Sequence, residues 1–181
     1  GYIPPDNDHW VGFLHQEMKK KIIFVYPALP GFVRKDLELL SEKHRVVVWN
    51  APWHIKVLLP FLLFGQFVFL LWHLPGASGI IVSFGGYWAM LPALLGRLSR
   101  KPVIVILHGT DCASIPSYGY GNLRKPLLRK VSGLAYRLAT ELWPVSESLV
   151  FSERCFGVQT MESMQGLMHF FPDLNTPVYV I

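Results

Sequence analysis

The fold is decided by the stretch KPVIVILHGTD at residues 101–111. Its first part, residues 103–107, is a run of five apolar and mostly branched side chains, which is typical of a parallel strand covered on both faces. The run ends abruptly in the sequence His-Gly-Thr-Asp. Ligands of open α/β sheets bind just beyond the carboxyl ends of the strands, so this is where chemistry is expected.

Strands and helices alternate along the rest of the chain without a break. Short apolar runs predict strands at residues 22–26, 45–50, 79–83, 102–107, 141–145 and 178–181. Helical patterns lie at residues 33–43, 88–100, 123–139 and 146–156. This alternation favours an α/β protein, with a doubly wound parallel sheet in a Rossmann-like, three-layer α/β/α arrangement.

The composition indicates more apolar surface than the core of one soluble domain buries. Hydrophobic residues make up 51% of the 181 residues and charged residues only 16%, which is apolar for a free-standing soluble domain. The length suits one domain. Excess apolar surface of this kind requires a second cover, either a partner domain or a membrane surface.

Charge is distributed unevenly. The net charge is +5, and residues 43–140 contain eleven Lys or Arg but one acid, Asp111. This pattern indicates an anionic lipid, phosphate or nucleic acid nearby, with a solvated basic face as the simpler alternative. Nucleic acid is disfavoured, because the sequence has no reader motif and its aromatic residues lie in apolar runs.

Two further features concern compartment and boundaries. Cys112 and Cys155 lack any CxxC or metal-ligand spacing, so free thiols in a reducing, cytoplasmic compartment are expected. No secretory signal opens the sequence, and residues 1–18 are largely polar up to Met18. We expect them to be an upstream extension or an artificial remnant, and the domain to occupy residues 19–181.

Residues 57–72, VLLPFLLFGQFVFLLW, form the most apolar segment, with Gln66 as its one clearly polar residue. A spanning helix needs about 20 apolar residues, and Pro60 and Gly65 weaken a straight span. One alternative is a helix that covers the sheet and offers its second face to a partner. Another is an interfacial helix lying in one leaflet, supported by its aromatic residues and the basic surroundings.

A basic helix is predicted at residues 124–137, RKPLLRKVSGLAYR. Four cations, Arg124, Lys125, Arg129 and Lys130, lie within two turns beside apolar residues. This layout suits an anionic membrane surface, and it predicts salt-sensitive binding to anionic liposomes.

Four loops leave the carboxyl ends of successive predicted strands and are expected to meet at one edge of the sheet. They are PALPGFVR at residues 27–34, SFGGY at 83–87, HGTDC at 108–112 and SES at 146–148. Glycines in these loops allow backbone N–H groups to approach a ligand, and the helix amino ends behind them favour anions. Polar candidates are His108, Asp111, Ser146 and Glu147.

Each candidate also has a purely structural interpretation. A glycine pair after a strand often makes a turn, and Ser146 with its neighbours is most simply a helix cap. His108 would serve as a packing histidine, and Asp111 as a cap for the next loop. The sequence has no metal-ligand spacing, nucleophile elbow or Walker loop, so hydrolase and NTPase interpretations have no specific support.

The motifs PGFVRKD (residues 30–36), SFGG (83–86), ILHGTD (106–111) and PVSES (144–148), followed by TPVYVI (176–181), resemble the amino-terminal half of a GT-B glycosyltransferase of family four. The resemblance covers residues 19–181 and rests on the order and spacing of the motifs. In that family the next residues would be Pro-Asn-Gly, which open the linker to a second domain.

The resemblance implies an acceptor-binding domain of a retaining, metal-independent enzyme. A carboxyl-terminal domain, absent from this chain, would bind the nucleotide-sugar co-substrate, and no other cofactor is implied. His108 would be catalytic, close to the transferred sugar. Substrate-binding positions would be Gly31, Phe32, Gly85, Gly86, Gly109, Thr110, Asp111, Ser146 and Glu147.

The resemblance also implies partners. The acceptor would be a sugar or a lipid-linked glycan, bound at the cytoplasmic face of the cell membrane, and the chain alone would be inactive. The first loop, Pro-Ala-Leu-Pro-Gly, differs from the Gly-Gly pair of many members, which disfavours close approach of this loop to a donor diphosphate. The alternatives are a non-enzymatic, membrane-peripheral module on the same scaffold and, with less support, a stand-alone small-molecule enzyme using His108 and Asp111.

Overall fold

Five parallel strands form the centre of the molecule in a computed structural model that describes residues 19–153 and 164–181. Their order across the sheet is β2-β1-β3-β4-β5. The strands are β1 Lys21–Tyr26, β2 Arg45–Asn50, β3 Gly79–Ser83, β4 Val103–Leu107 and β5 Glu141–Pro144. The prediction for residues 1–18 lies outside the described residues.

Helices cover the sheet on both faces. They are α1 Gly31–Lys43, α2 Leu59–His73, α3 Tyr87–Leu98, α4 Pro126–Leu138 and the short α5 Leu167–Phe170. Helices α2, α3 and α4 share one face of the sheet and α1 lies on the other. The protein is therefore an α/β domain with the Rossmann-like, three-layer α/β/α fold that the alternation predicts.

Strand β1 shows why the chain folds in layers. Ile23 and Val25 point into the core shared with α2, α3 and α4, whereas Phe24 and Tyr26 pack with Val33 of α1. Alternate residues of a strand face opposite sides of a sheet, so a continuous apolar run supplies both cores. The reversal of strand order between β1 and β3 creates a crevice at the carboxyl edge.

The apolar segment folds as a helix that covers the sheet. Gln66 and Leu70 of α2 are buried, and Gln66 Nε2 donates to the carbonyl of Trp88 at 2.9 Å. Among the described residues, Lys56–Gly76 is the one helical stretch long and apolar enough to cross a membrane. Both its ends lead into strands of the same sheet, so the helix cannot cross a bilayer while this fold persists.

The predicted helix at residues 146–156 is wrong over its described part. The chain makes a single 3₁₀ turn at Glu147–Leu149 and then a short strand, β6 Ser152–Glu153, antiparallel to β7 Met164–Gln165. The Ser146 hydroxyl accepts a hydrogen bond from Ser148 N, which satisfies the turn locally. Residues 154–156 of that prediction lie outside the described residues.

The predicted last strand is present as a short parallel pairing with β5. Leu142 N donates to the carbonyl of Pro177 at 2.9 Å, and Tyr179 N donates back to that of Leu142 at 2.9 Å. Ile181 N then reaches the carbonyl of Pro144 at 3.0 Å. The chain beyond α5 thus extends the sheet past β5.

Candidate functional site

The four predicted loops meet at the carboxyl edge of the sheet. The register pairs Val25 with Val82, Ser83 with Ile106, and Leu107 with Pro144, so β1, β3, β4 and β5 end at one edge. Helices α1 and α3 begin at this edge, each without a side-chain cap on its first N–H groups. Uncapped N–H groups leave this edge able to bind acceptor oxygens of a ligand.

His108 lies at the centre of this edge. Its Nε2 forms a hydrogen bond of 2.9 Å with the Oγ of Ser83, which is buried at the end of β3. The imidazole ring contacts Phe32 and Phe84, with ring centroids 4.8 and 4.4 Å away. Two aromatic walls and one hydroxyl therefore hold the half-buried histidine in place.

Desolvation lowers the pKa of His108 from 6.5 to about 4. The imidazole is therefore neutral at physiological pH and presents one nitrogen as donor and the other as acceptor. No described residue bonds its Nδ1, so this nitrogen is available to a ligand. A neutral ring between aromatic side chains suits a hydroxyl group better than a phosphate.

The low pKa of His108 makes the free energy of unfolding depend on pH. An imidazole that titrates near 6.5 when unfolded and at about 4 when folded binds more protons in the unfolded chain. Stability should therefore fall as the pH drops from 7 towards 4. Allowing for partial exposure, we expect His108 to contribute roughly 1–2 kcal/mol to this loss.

Urea unfolding at pH 7.5 and 5.0 measures the effect. The matched control is His108→Gln, which keeps a polar group near Ser83 but cannot titrate. The wild-type chain should lose more stability than this variant, and equal losses would show that His108 titrates normally in the folded chain.

Asp111 organises the loops from inside. It is fully buried and accepts hydrogen bonds from the backbone N–H groups of Gly85 at 2.9 Å, His108 at 3.1 Å and Gly109 at 2.8 Å. Burial raises the pKa of its carboxyl group, and these backbone donors oppose that rise. The carboxyl group therefore ties the loop after β3 to the loop after β4, and is a positioning group rather than one that meets a ligand.

Tyr136 of α4 completes the buried support. Its hydroxyl donates to the backbone carbonyl of Asp111 at 3.0 Å, and burial raises its pKa well above the ordinary value. The Tyr136 ring packs so closely on Gly85 that a Cβ there would collide with its hydroxyl. The adjoining Phe84 adopts a φ of +64°, which is uncommon for a bulky residue. The glycine at position 85 is thus required by packing.

Two glycine substitutions compare a position where packing excludes a side chain with one where it does not. Gly85→Ala should destabilise the chain by about 2–4 kcal/mol, because Tyr136 and its bond to Asp111 must move. Gly31→Ala is the matched control, since a Cβ there meets no atom within 4 Å. It should change stability by less than about 0.5 kcal/mol. Thermal unfolding of both variants tests this, and equal midpoints would contradict the packing role of Gly85.

The other predicted positions divide into two groups. Gly31 and Phe32 are exposed at the start of α1, and Phe32 touches His108, so both face outward at the site. Gly109 is buried with a φ of +126°, which a glycine adopts readily. Gly86 packs against the Trp88 ring, and the Thr110 carbonyl accepts from Asn122 N at 2.6 Å, so these residues shape the loops.

Ser146 and Glu147 are exposed at the end of β5. The capping interpretation of Ser146 is confirmed, because its Oγ accepts from Ser148 N at 3.4 Å. The turn lies beside the His108 loop, since a Cβ on Gly109 would be 3.8 Å from Leu149 Cδ2. Contacts among the described residues bring the turn to the site wall but do not join either side chain to His108.

The basic cluster is only partly free. Arg124, Lys125 and Lys130 are exposed, as predicted. Arg129 is half-buried: its Nε donates to the carbonyl of Leu123 at 2.7 Å, and its guanidinium lies 5.1 Å from the centre of the Phe170 ring. Arg129 is therefore engaged in internal packing.

A cleft of about 720 Å³ opens at the opposite, amino edge of the sheet. It contains none of the predicted site residues. Its lining includes Arg97, Arg100, Lys101 and Arg137, which lie at or beyond the carboxyl ends of α3 and α4. Cations there are favoured by the helix dipoles, which is sufficient to explain them.

Candidate metal ligands and thiols were compared across the part of the chain that the structure describes. Among residues 19–153 and 164–181, no three His, Cys, Asp or Glu side chains are grouped so that they would hold a metal ion. Cys112 is a buried free thiol whose pKa is raised by burial and by Asp111. Cys155 lies outside the described residues.

Sequence reasoning missed the residues that support the site from below. The sequence places Ser83 in the loop after β3 but does not identify it as the partner of His108. A serine at the end of an apolar strand could have indicated such a role. Tyr136 lies in a helix that was interpreted by its charges, and nothing local indicates that its hydroxyl reaches Asp111.

No protein-family model matches the chain, and no curated protein matches its sequence significantly.

Proposed function

We propose that this chain is the acceptor-binding part of a retaining glycosyltransferase that uses a nucleotide-sugar donor. The observation that carries the proposal is His108, a neutral imidazole held by Ser83 between Phe32 and Phe84 at the carboxyl edge of the sheet. All four residues belong to motifs in which the sequence resembles the GT-B family.

The chemistry of the edge supports a sugar as ligand. Aromatic side chains pack well against the apolar faces of a sugar ring, and Phe32 is 48% exposed beside the histidine. The free Nδ1 of His108 suits a sugar hydroxyl, because a neutral imidazole accepts or donates a hydrogen bond without a charge. The uncapped start of α1 offers further backbone donors.

The residues would then have separate roles. His108 is the catalytic residue, in contact with the transferred sugar or the acceptor. Phe32, with the backbone of Gly31, forms one wall of the acceptor site, and the Ser146–Glu147 turn forms the other. Asp111, Ser83 and Tyr136 are positioning residues, which hold His108 and the glycine loops in register. The donor would be bound by a second domain, and no metal ligand is assigned.

The continuation of the reading frame beyond Ile181 tests the proposal. We expect it to continue into Pro-Asn-Gly and a second α/β domain with two glutamates in a Glu-x7-Glu pattern. A stop codon at that point would exclude the family mechanism for this polypeptide, and it would favour a non-enzymatic binding module on the same scaffold.

A further inference from the structure

Helix α2 leaves one long side uncovered. Its buried residues, Gln66 and Leu70, face the sheet. The opposite side carries large apolar side chains at helical spacing, continued by Val57 in the preceding turn. The exposed fractions are 83% for Val57, 73% for Phe61, 68% for Phe64, 49% for Val68 and 81% for Trp72. This surface, called the α2 face below, is too apolar to be an ordinary solvated helix surface.

The α2 face does not belong to the candidate site. The site opens at the carboxyl edge of the sheet, where β1, β3, β4 and β5 end. The α2 face lies on the outside of the helical layer formed by α2, α3 and α4. A ligand bound at the edge would therefore leave the α2 face uncovered.

The charged side chains of helices α2, α3 and α4 are all cationic. Helices α2, α3 and α4 contain no Asp or Glu, whereas α1 on the other face contains Asp36, Glu38 and Glu42. The exposed cations of the helical layer include Arg97 and Lys130, whereas Arg137 is paired with Asp173 at 3.0 Å. A surface that joins an apolar helix to uncompensated cations matches the phosphates and acyl chains of an anionic bilayer.

Cations also lie at both ends of α2. Lys56 is exposed just before the helix, and Lys21 Nζ donates to the carbonyl of His73 at 2.6 Å at its end. Trp72 is beside this second end, and tryptophan prefers the boundary between headgroups and acyl chains. The apolar stripe therefore has a cation near each end, where lipid phosphates would lie.

The alternative of a second copy of the chain fits the charges less well. A symmetric dimer through the α2 face would bring the same surface of both copies together. Arg97 and Lys130 of one helical layer would then lie near those of the other, and helices α2, α3 and α4 supply no acid to pair them. Like charges across an interface are costly.

We propose that α2 lies in the plane of an anionic bilayer and inserts the α2 face into the outer part of one leaflet, while Lys56 and Lys130 contact lipid phosphates. The inference rests on the helical layer alone. Vesicle binding needs no sugar transfer, so its failure would leave the proposed function standing.

Sedimentation of the 181-residue chain with vesicles tests this. We expect binding to vesicles of phosphatidylcholine mixed with phosphatidylglycerol, weaker binding at high salt, and still weaker binding to pure phosphatidylcholine. The double variant Phe61→Ser/Phe64→Ser should partition at least about ten-fold less, because two exposed aromatic side chains no longer insert. Leu39→Ser, at an exposed leucine of α1 on the opposite face, is the matched control and should bind normally.

Fluorescence locates the inserted side. Addition of anionic vesicles should shift the tryptophan emission to shorter wavelength, and Trp72→Phe should abolish most of that shift while the protein still binds. Circular dichroism and thermal unfolding must show that each variant is folded. Equal binding by the double variant and wild type, or equal binding to neutral and anionic vesicles, would overturn the proposal. The proposal would also be overturned if the wild-type chain forms a dimer that does not bind vesicles, and if the double variant is a monomer.

Discussion

Asp111→Ala is expected to destabilise the chain by about 3–5 kcal/mol. The substitution leaves three backbone N–H groups, those of Gly85, His108 and Gly109, without their buried acceptor. Each orphaned donor retains the cost of its desolvation, and the loops after β3 and β4 lose their common anchor. Such a loss is a large part of the stability of an ordinary domain, about 5–15 kcal/mol.

Urea unfolding followed by circular dichroism measures this effect. The matched control is Asp173→Ala, which removes an exposed carboxylate that forms a 3.0 Å ion pair with Arg137. Because surface ion pairs contribute about 0–1 kcal/mol, the control should remain near wild type. If both variants unfold at the same urea concentration as wild type, Asp111 is not the anchor of the site.

His108→Ala is expected to lower sugar transfer by the complete gene product about 100-fold while the protein stays folded. The side chain is half-buried and makes one side-chain hydrogen bond, to Ser83, so its loss should cost only about 1–2 kcal/mol of stability. The large effect on rate follows from the proposed contact of Nδ1 with the reacting sugars.

Ser83→Ala separates contact from positioning. It removes the hydrogen bond to Nε2 but leaves the imidazole between Phe32 and Phe84. We expect this variant to transfer sugar about ten-fold more slowly than wild type, which is faster than His108→Ala. The change in kcat should be larger than the change in KM. Wild-type transfer by His108→Ala would show that the histidine serves only in packing.

The fold was predictable because its signals are local and repeated. Each of the first four strands is a short apolar run with a helix before the next strand, and β4 ends in the polar sequence His-Gly-Thr-Asp. The meeting of four loops at one edge then follows from parallel strands alone.

Other parts depend on contacts between distant residues. The sequence Ser-Glu-Ser after β5 predicted the start of a long helix. In the structure Ser146 caps a single 3₁₀ turn, and the chain continues as β6. The charges at residues 124–130 suggested one shared surface, yet Arg129 folds back on Leu123 and Phe170. The apolar segment permitted three placements. The burial of Gln66 and Leu70, with the bond from Gln66 to Trp88 of α3, places it in the helical layer over the sheet.

The site shows the same division. A histidine and glycines at a strand end were visible in the sequence, and their position is as expected. The hydrogen bonds that support them could not be predicted. Asp111 bonds to Gly85, which is 26 residues away in the sequence, and Tyr136 bonds to Asp111, which is 25 residues away. Such long-range pairs leave no periodicity in a single sequence.

The central claim is that this chain supplies the acceptor site of a sugar transferase. The most direct test is to incubate the product of the complete reading frame with radiolabelled nucleotide sugars and a membrane extract as the source of acceptor, in the presence of a chelator. We predict transfer of label with retention of anomeric configuration, and no transfer by the 181-residue chain alone. Failure of the complete product to transfer any of the sugars, or turnover by the 181-residue chain, would contradict the account.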